Sequence, residues 1–155
     1  MQNEEIILKL IEKNLTISTA ESCTGGLLGK TITSVPGASS IYGYGFITYA
    51  NEAKENILGV SSSTLKTLGA VSPETACEMA EGARRVSKSD IAVSTTGIAG
   101  PGGGTDEKPI GLVYIAISYK DTTNYKKLNL SGDRDSIRAQ ACREVFKLIE
   151  EKICN

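Results

Sequence analysis

The chain has 155 residues, with no histidine, no tryptophan and only 5% aromatic residues. Without an imidazole, a Ser-His-Asp triad and a Cys-His pair are both excluded within one chain. Any hydroxyl or thiol nucleophile must instead pass its proton to a lysine, an acid or a tyrosinate. Paired cysteines are missing too: Cys23, Cys77, Cys142 and Cys154 form no CxxC. A structural zinc site is therefore not expected, and with no export signal the thiols are expected to be reduced. Excess charge is also lacking, and a formal net charge of −1 argues against general nucleic-acid binding. No stretch approaches the ~20 apolar residues of a membrane span. The acidic start "MQNEEIILKLIEKN" lacks the charged start and long apolar run of a signal sequence. The expectation is a cytoplasmic chain that binds neither nucleic acid nor membrane. No resident metal or cofactor is called for, although magnesium arriving with a phosphorylated substrate stays open. The length suits a single domain spanning residues 1–155.

Strand and helix patterns alternate. Apolar residues at helical spacing predict a helix over residues 3–13, and "LTISTA" reads as a short strand. "TGGLLGKTITSV" predicts a helix ended by Pro36-Gly37, and "SIYGYGFITYA" a strand weakened by Gly43 and Gly45. Asn51 is expected to cap a helix that stops at Gly59, followed by a short helix in "SSSTLKTLG". A clearer helix begins at Ser72-Pro73. "DIAVSTTG" reads as a buried strand leading into the glycine-rich loop "IAGPGGGTDEKP". "IGLVYIAISY" and "NYKKLNLSG" predict a hairpin turning at "KDTT", and a helix over residues 134–152 closes the chain. This order predicts a three-layer α/β/α domain with a mixed β-sheet.

The stretch "TAESCTGG" holds the candidate chemistry. A strand running into a glycine-rich helix start offers backbone N–H groups that no helical carbonyl satisfies, here from Cys23, Thr24, Gly25 and Gly26. Such donors suit an anion or a developing oxyanion. Ser22 and Cys23 are both candidate nucleophiles, and Ser22 or Thr24 as a plain helix cap is the structural alternative. In "YANEAK", Tyr49 ends a strand and Lys54 falls one turn into the next helix. To act as a base near neutrality a lysine must drop from ~10.4 to about 7–8, a shift of roughly 4 kcal/mol that burial can supply. A solvated lysine and a core tyrosine are the alternative. The loop after the third strand fails both the GxxxxGK[ST] and GxGxxG patterns. A less regular phosphate cradle from Thr96 and Gly97 through Gly100, Gly102 and Gly103 remains open. Arg134 and Arg138 stand one turn apart and suit either an anionic ligand or salt bridges with Asp135 or Glu144.

Four long motifs, "TAESCTGG", "YGYGFITYANEAKENILGV", "GAVSPETACEMAEGAR" and "STTGIAGPGGGTDEKPIGLVYIAI", occur in order. Together they resemble the C-terminal domain of the competence-damage-inducible protein CinA and its stand-alone relatives, the nicotinamide-nucleotide amidohydrolases. The resemblance runs from about residue 8 to residue 148, and the molybdopterin-binding-like domain that precedes it in full-length CinA is not expected here. It implies hydrolysis of the carboxamide of nicotinamide mononucleotide to nicotinate mononucleotide and ammonia, in pyridine nucleotide salvage. It also implies a serine nucleophile with a tyrosine and a lysine as a proton-transfer pair, which match Ser22, Tyr49 and Lys54, with Arg138 and the glycine loop holding the phosphate. The alternative is a non-catalytic nucleotide-binding module. A homo-oligomer is expected, because exposed apolar faces on small sheet domains commonly pair with copies of themselves.

Overall fold

A computed structural model describes residues 1–154. The uninterrupted small and β-branched runs become central strands. Strand β1 (Ile17–Glu21) is buried throughout and β3 (Ile91–Gly97) nearly so, as a strand covered on both faces must be. They form the middle of a five-stranded sheet with β2 (Tyr42–Ile47), β4 (Leu112–Tyr119) and β5 (Thr122–Asn129), in the order β2-β1-β3-β4-β5. Strand β1 runs parallel to both β2 and β3, whereas β4 and β5 are antiparallel, so the sheet is mixed as expected.

Helices cover both faces, giving the expected three layers. On one side lie α1 (Asn3–Glu12), α2 (Leu27–Thr33) and α6 (Arg134–Ile153). Their Leu10, Ile32 and Phe146 share a core with Ile17, Val93 and Ile115 of the sheet. On the other side lie α3 (Asn51–Leu58), α4 (Ser62–Leu68) and α5 (Pro73–Ser87). There Leu58, Leu65 and Met79 pack on Ala20 and Ala92. The alternation of large and small residues along β1 and β3 assigns the two faces.

The chain moves from β1 outward to β2 through α2, then back past β1 to β3 through α3, α4 and α5. Connections leaving β1 and β3 therefore diverge, and the gap outside their C-terminal ends is where ligands bind in open α/β sheets. Ser22 follows β1 directly, and the glycine loop follows β3.

Local boundaries differ from expectation in four places. Helix α2 begins at Leu27, because Gly25 and Gly26 take positive φ angles of 55° and 107° and keep residues 22–26 as a tight turn. Ala50, not Asn51, occupies the N-cap of α3 and makes no side-chain cap; Asn51 is the first helical residue. The hairpin turn is Lys120-Asp121 alone, since Thr122 and Thr123 already pair with Tyr119 and Ser118. Strand β2 is shorter than its pattern, starting at Tyr42 after a single 3-10 turn over Ala38–Ser40.

Candidate active site

Ser22 and Lys54 lie 32 residues apart in sequence and meet across the β1–β2 edge. Lys54 Nζ stands 3.1 Å from Ser22 Oγ, and donates to the carbonyls of Thr48 at 2.8 Å and Tyr49 at 3.1 Å. The residue is 1% exposed and its side chain is, with Phe146, among the largest fully buried ones of the described residues. Taking the ammonium out of water lowers its pKa from the ordinary 10.5, a shift that the neighbouring Cys23 opposes more weakly. A neutral amine has two protons and one lone pair. With the protons on the two carbonyls, the lone pair is left facing the Ser22 hydroxyl. Ser22 itself is 8% exposed, at the end of the strand and in reach of solvent.

Cys23 points the other way. Its side chain is in the core with Leu28 and Ile32, and burial pushes its thiol up to about 11. A neutral, core-packed thiol is not a nucleophile at physiological pH. Adjacent residues leaving a strand face opposite sides, and here the hydroxyl faces the lysine.

The backbone donors of the turn are fewer than expected. The N–H of Gly26 goes to Glu21 Oε1 at 3.2 Å, and the N–H of Gly25 to the Ser22 carbonyl at 3.1 Å. Among the described residues, no other residue accepts from the N–H groups of Cys23 and Thr24. Those two are the backbone donors of the turn left free to meet an anion. The Thr24 hydroxyl is committed, donating to Glu21 Oε1 at 2.6 Å and lying 2.8 Å from Thr95 Oγ1.

For Tyr49 the resemblance implies proton transfer with Lys54. In the structure its backbone carbonyl reaches Lys54, while the residue is 60% exposed and its hydroxyl accepts from Arg134 Nη2 at 3.1 Å. Arg134 also donates to the Gly100 carbonyl at 2.7 Å, so one guanidinium bridges Tyr49 and the start of the glycine loop. Arg138, one turn on, donates through Nη2 to the Thr24 carbonyl at 2.9 Å, and its buried Nε has no partner. Neither arginine pairs with Asp135 or Glu144.

The expected cradle is shorter than its sequence suggests, because its first two residues lie in β3. Thr96 and Gly97 are strand residues paired with Tyr114 and Val113, and the Thr96 hydroxyl donates to the Ala70 carbonyl at 2.7 Å. Gly102 and Gly103 are exposed, beyond Gly100. The loop is fastened at its far end by Lys108, which donates to the Leu68 carbonyl at 2.6 Å.

Sequence reasoning passed over two residues. Glu21 receives four hydrogen bonds within the turn and the start of α2, and Thr95 Oγ1 lies against both Thr24 and the Ser22 N–H. The available signal was an acid closing an otherwise uncharged buried strand.

Residues 1–153 match the family model described as the CinA C-terminal domain. A relative from Caldanaerobacter subterraneus, by name a competence-damage inducible protein, is 57% identical over 147 residues, covering 94% of this chain and 36% of the relative. Its namesake from Clostridium acetobutylicum is 51% identical over 146 residues, with coverage of 94% and 36%. The chain thus spans about a third of the length of the curated relatives it matches, 36% in these two cases. Among solved structures, the competence/damage inducible protein CihA of Agrobacterium tumefaciens superposes with a TM-score of 0.92 at 41% identity, over 96% of this chain and 94% of that one. The competence damage-inducible protein A of Klebsiella pneumoniae gives a TM-score of 0.94 at 33% identity, over 100% and 99%. Sequence and fold agree along nearly the whole chain, and it belongs to the CinA C-terminal domain family.

Proposed function

We infer that this chain is an amidohydrolase acting on the carboxamide of nicotinamide mononucleotide, releasing ammonia and nicotinate mononucleotide in pyridine nucleotide salvage. The observation that carries the reading is the buried Lys54 amine 3.1 Å from the Ser22 hydroxyl, in a chain without histidine.

Lys54, neutral, accepts the Ser22 proton as Oγ bonds to the amide carbon, which the cationic pyridinium ring makes more electrophilic. The oxyanion gathers on the carbonyl oxygen, within reach of the Cys23 and Thr24 N–H groups. The ammonium of Lys54 then returns its proton to the amide nitrogen, the C–N bond breaks and ammonia leaves. Water attacks the resulting ester, with Lys54 taking its proton. The ester C–O bond then breaks, Lys54 returns that proton to Ser22 Oγ, and the acid product loses its own proton to solvent as a free carboxylate. Tyr49 serves by holding the lysine through its carbonyl and, through its hydroxyl, by fixing Arg134 next to the glycine loop. Arg138 and the loop segment from Gly100 to Gly103 are suited to the phosphate, the unpaired Nε of Arg138 being a donor still without an acceptor. The route uses no cofactor and fits a cytoplasmic metabolic enzyme. The chain works as a homo-oligomer in this reading, supported by the free and apolar β2 edge, where Tyr44 and Ile47 are exposed.

Purified protein mixed with nicotinamide mononucleotide should release ammonia at a rate abolished by Ser22→Ala. Binding without release would instead identify a nucleotide-binding module. Release that survives Ser22→Ala and is lost in Cys23→Ala would transfer the chemistry to the thiol.

A further inference from the structure

Beneath the turn that carries Ser22 lies a carboxylate that the chemistry above does not use. Glu21 ends β1 with 1% exposure and, among the described residues, has no ion-pair partner. An unpaired buried carboxylate is costly unless its oxygens are fully hydrogen-bonded. Here they are. Oε1 accepts from Thr24 Oγ1 at 2.6 Å, Gly26 N at 3.2 Å and Leu28 N at 2.9 Å, and Oε2 accepts from Gly29 N at 3.1 Å. A simple helix cap would ask for one short polar side chain at the N-cap position. In this chain the N-cap is Gly26, and the acid reaches in from the strand five residues earlier.

All four bonds end in the turn 22–26 or the first turn of α2. Together with the Gly25–Ser22 backbone bond they consume the donors that would otherwise compete for an anion. The Cys23 and Thr24 N–H groups are left. The carboxylate also offsets the positive end of the α2 dipole, so a substrate phosphate is not drawn to that helix.

We propose that Glu21 is a positioning residue for acyl transfer at Ser22. Its carboxylate ties the α2 N-terminus to the end of β1 and shapes the turn, so that only the Cys23 and Thr24 N–H groups are free for the oxyanion. The proposal rests on the serine-amidase reading for its chemistry, and it is tested by a reaction that does not need the natural substrate.

A fluorophosphonate labels an activated serine: the Oγ–P bond forms, the P–F bond breaks, fluoride leaves and the hydroxyl proton passes to Lys54. The phosphoryl oxygen needs the same donors as an oxyanion. Glu21→Gln keeps the shape but sets an NH2 group against a backbone N–H. Folded Glu21→Gln should label Ser22 at least about tenfold more slowly. Its kcat for ammonia release should fall about a hundredfold, the scale of one lost oxyanion donor, with KM within about threefold. The pH midpoint of labelling should not move, because Lys54 sets it. Thr24→Val removes the 2.6 Å donor to Glu21, together with the 2.8 Å contact to Thr95 Oγ1, and serves where Glu21→Gln does not fold; it should label several-fold more slowly. Wild-type labelling rates per folded molecule in the variant that folds, even with a lowered Tm, overturn the proposal and leave the amidase reading standing. A wild-type protein that labels at Ser22 but releases no ammonia defeats that reading and leaves the role of Glu21 intact. No labelling of the wild type overturns both.

Discussion

Lys54 is where burial becomes chemistry. Its folded pKa is lowered below the ordinary 10.5 by desolvation, so the unfolded chain binds more protons between the two values. The stability contribution of this side chain is therefore least favourable below the folded pKa and is regained as pH rises towards 10.5. Thermal melts of wild type and Lys54→Met across alkaline pH should show the wild type gaining relative to the variant. Activity should follow the same titration, falling as acid protonates the amine. Lys54→Arg, permanently charged, should lose about 10²–10⁴-fold in kcat at any pH, the usual span for a general base. Turnover in Lys54→Arg within tenfold of wild type would remove the lysine from the mechanism. Cys23 carries the opposite expectation. With its thiol at about 11 and packed in the core, Cys23→Ala should keep most of the turnover while losing some stability, checked by ammonia release and a melt.

At the scale of elements, Lys54 is only as well placed as helix α3. The C-terminal end of that helix is pressed against α5 at Gly82, where an added Cβ would stand 1.9 Å from the Leu58 carbonyl oxygen. Arg85 of α5 donates to the same carbonyl at 2.8 Å. Gly82→Ala must push α3 away from α5. Overpacking of this kind costs about 1–3 kcal/mol, which for a chain of this size lowers Tm by roughly 3–10 °C. Because α3 carries Lys54, the base of the proposed reaction, kcat should drop alongside Tm, and a loss of stability with unchanged kcat would show that α3 absorbs the shift beyond Lys54. The turn before α2 departs from its sequence pattern, which reads Thr24, Gly25 and Gly26 as the start of the helix. Positive φ at both glycines and the buried acid of the preceding strand make residues 22–26 a closed loop.

For the whole molecule, the two edges of the sheet differ. Strand β5 presents Lys126 and Lys127, charges of the kind that discourage edge-to-edge pairing. Strand β2 lies within a stretch from residue 31 to residue 51 that has no charged residue, and it exposes Tyr44 and Ile47. A neutral strand pairs with its own copy without repulsion. Sedimentation should find an oligomer that survives high salt, and Tyr44→Lys should shift it towards monomer. A monomeric wild type at micromolar concentration would leave the β2 edge without this role. No helix among the described residues is long and apolar enough to cross a membrane.

The order of strands and helices and the three layers were legible from periodicity and turn residues, and the absence of histidine narrowed the possible proton acceptors. It was the resemblance to the CinA family that singled out Ser22 and Lys54 together. Periodicity and composition are local properties: spacing of apolar residues reports which side of an element is buried, and composition reports which proton acceptors exist. The contact between hydroxyl and amine was not local. It required β2 to lie beside β1 and α3 to fold back over both, which packing of the two cores decides. The same packing sent the Cys23 thiol inward and gave the Tyr49 hydroxyl to Arg134. It also spent two of the four N–H groups from Cys23 to Gly26 on Glu21 and on the turn's own carbonyl, because a buried carboxylate must collect donors wherever tertiary structure brings them.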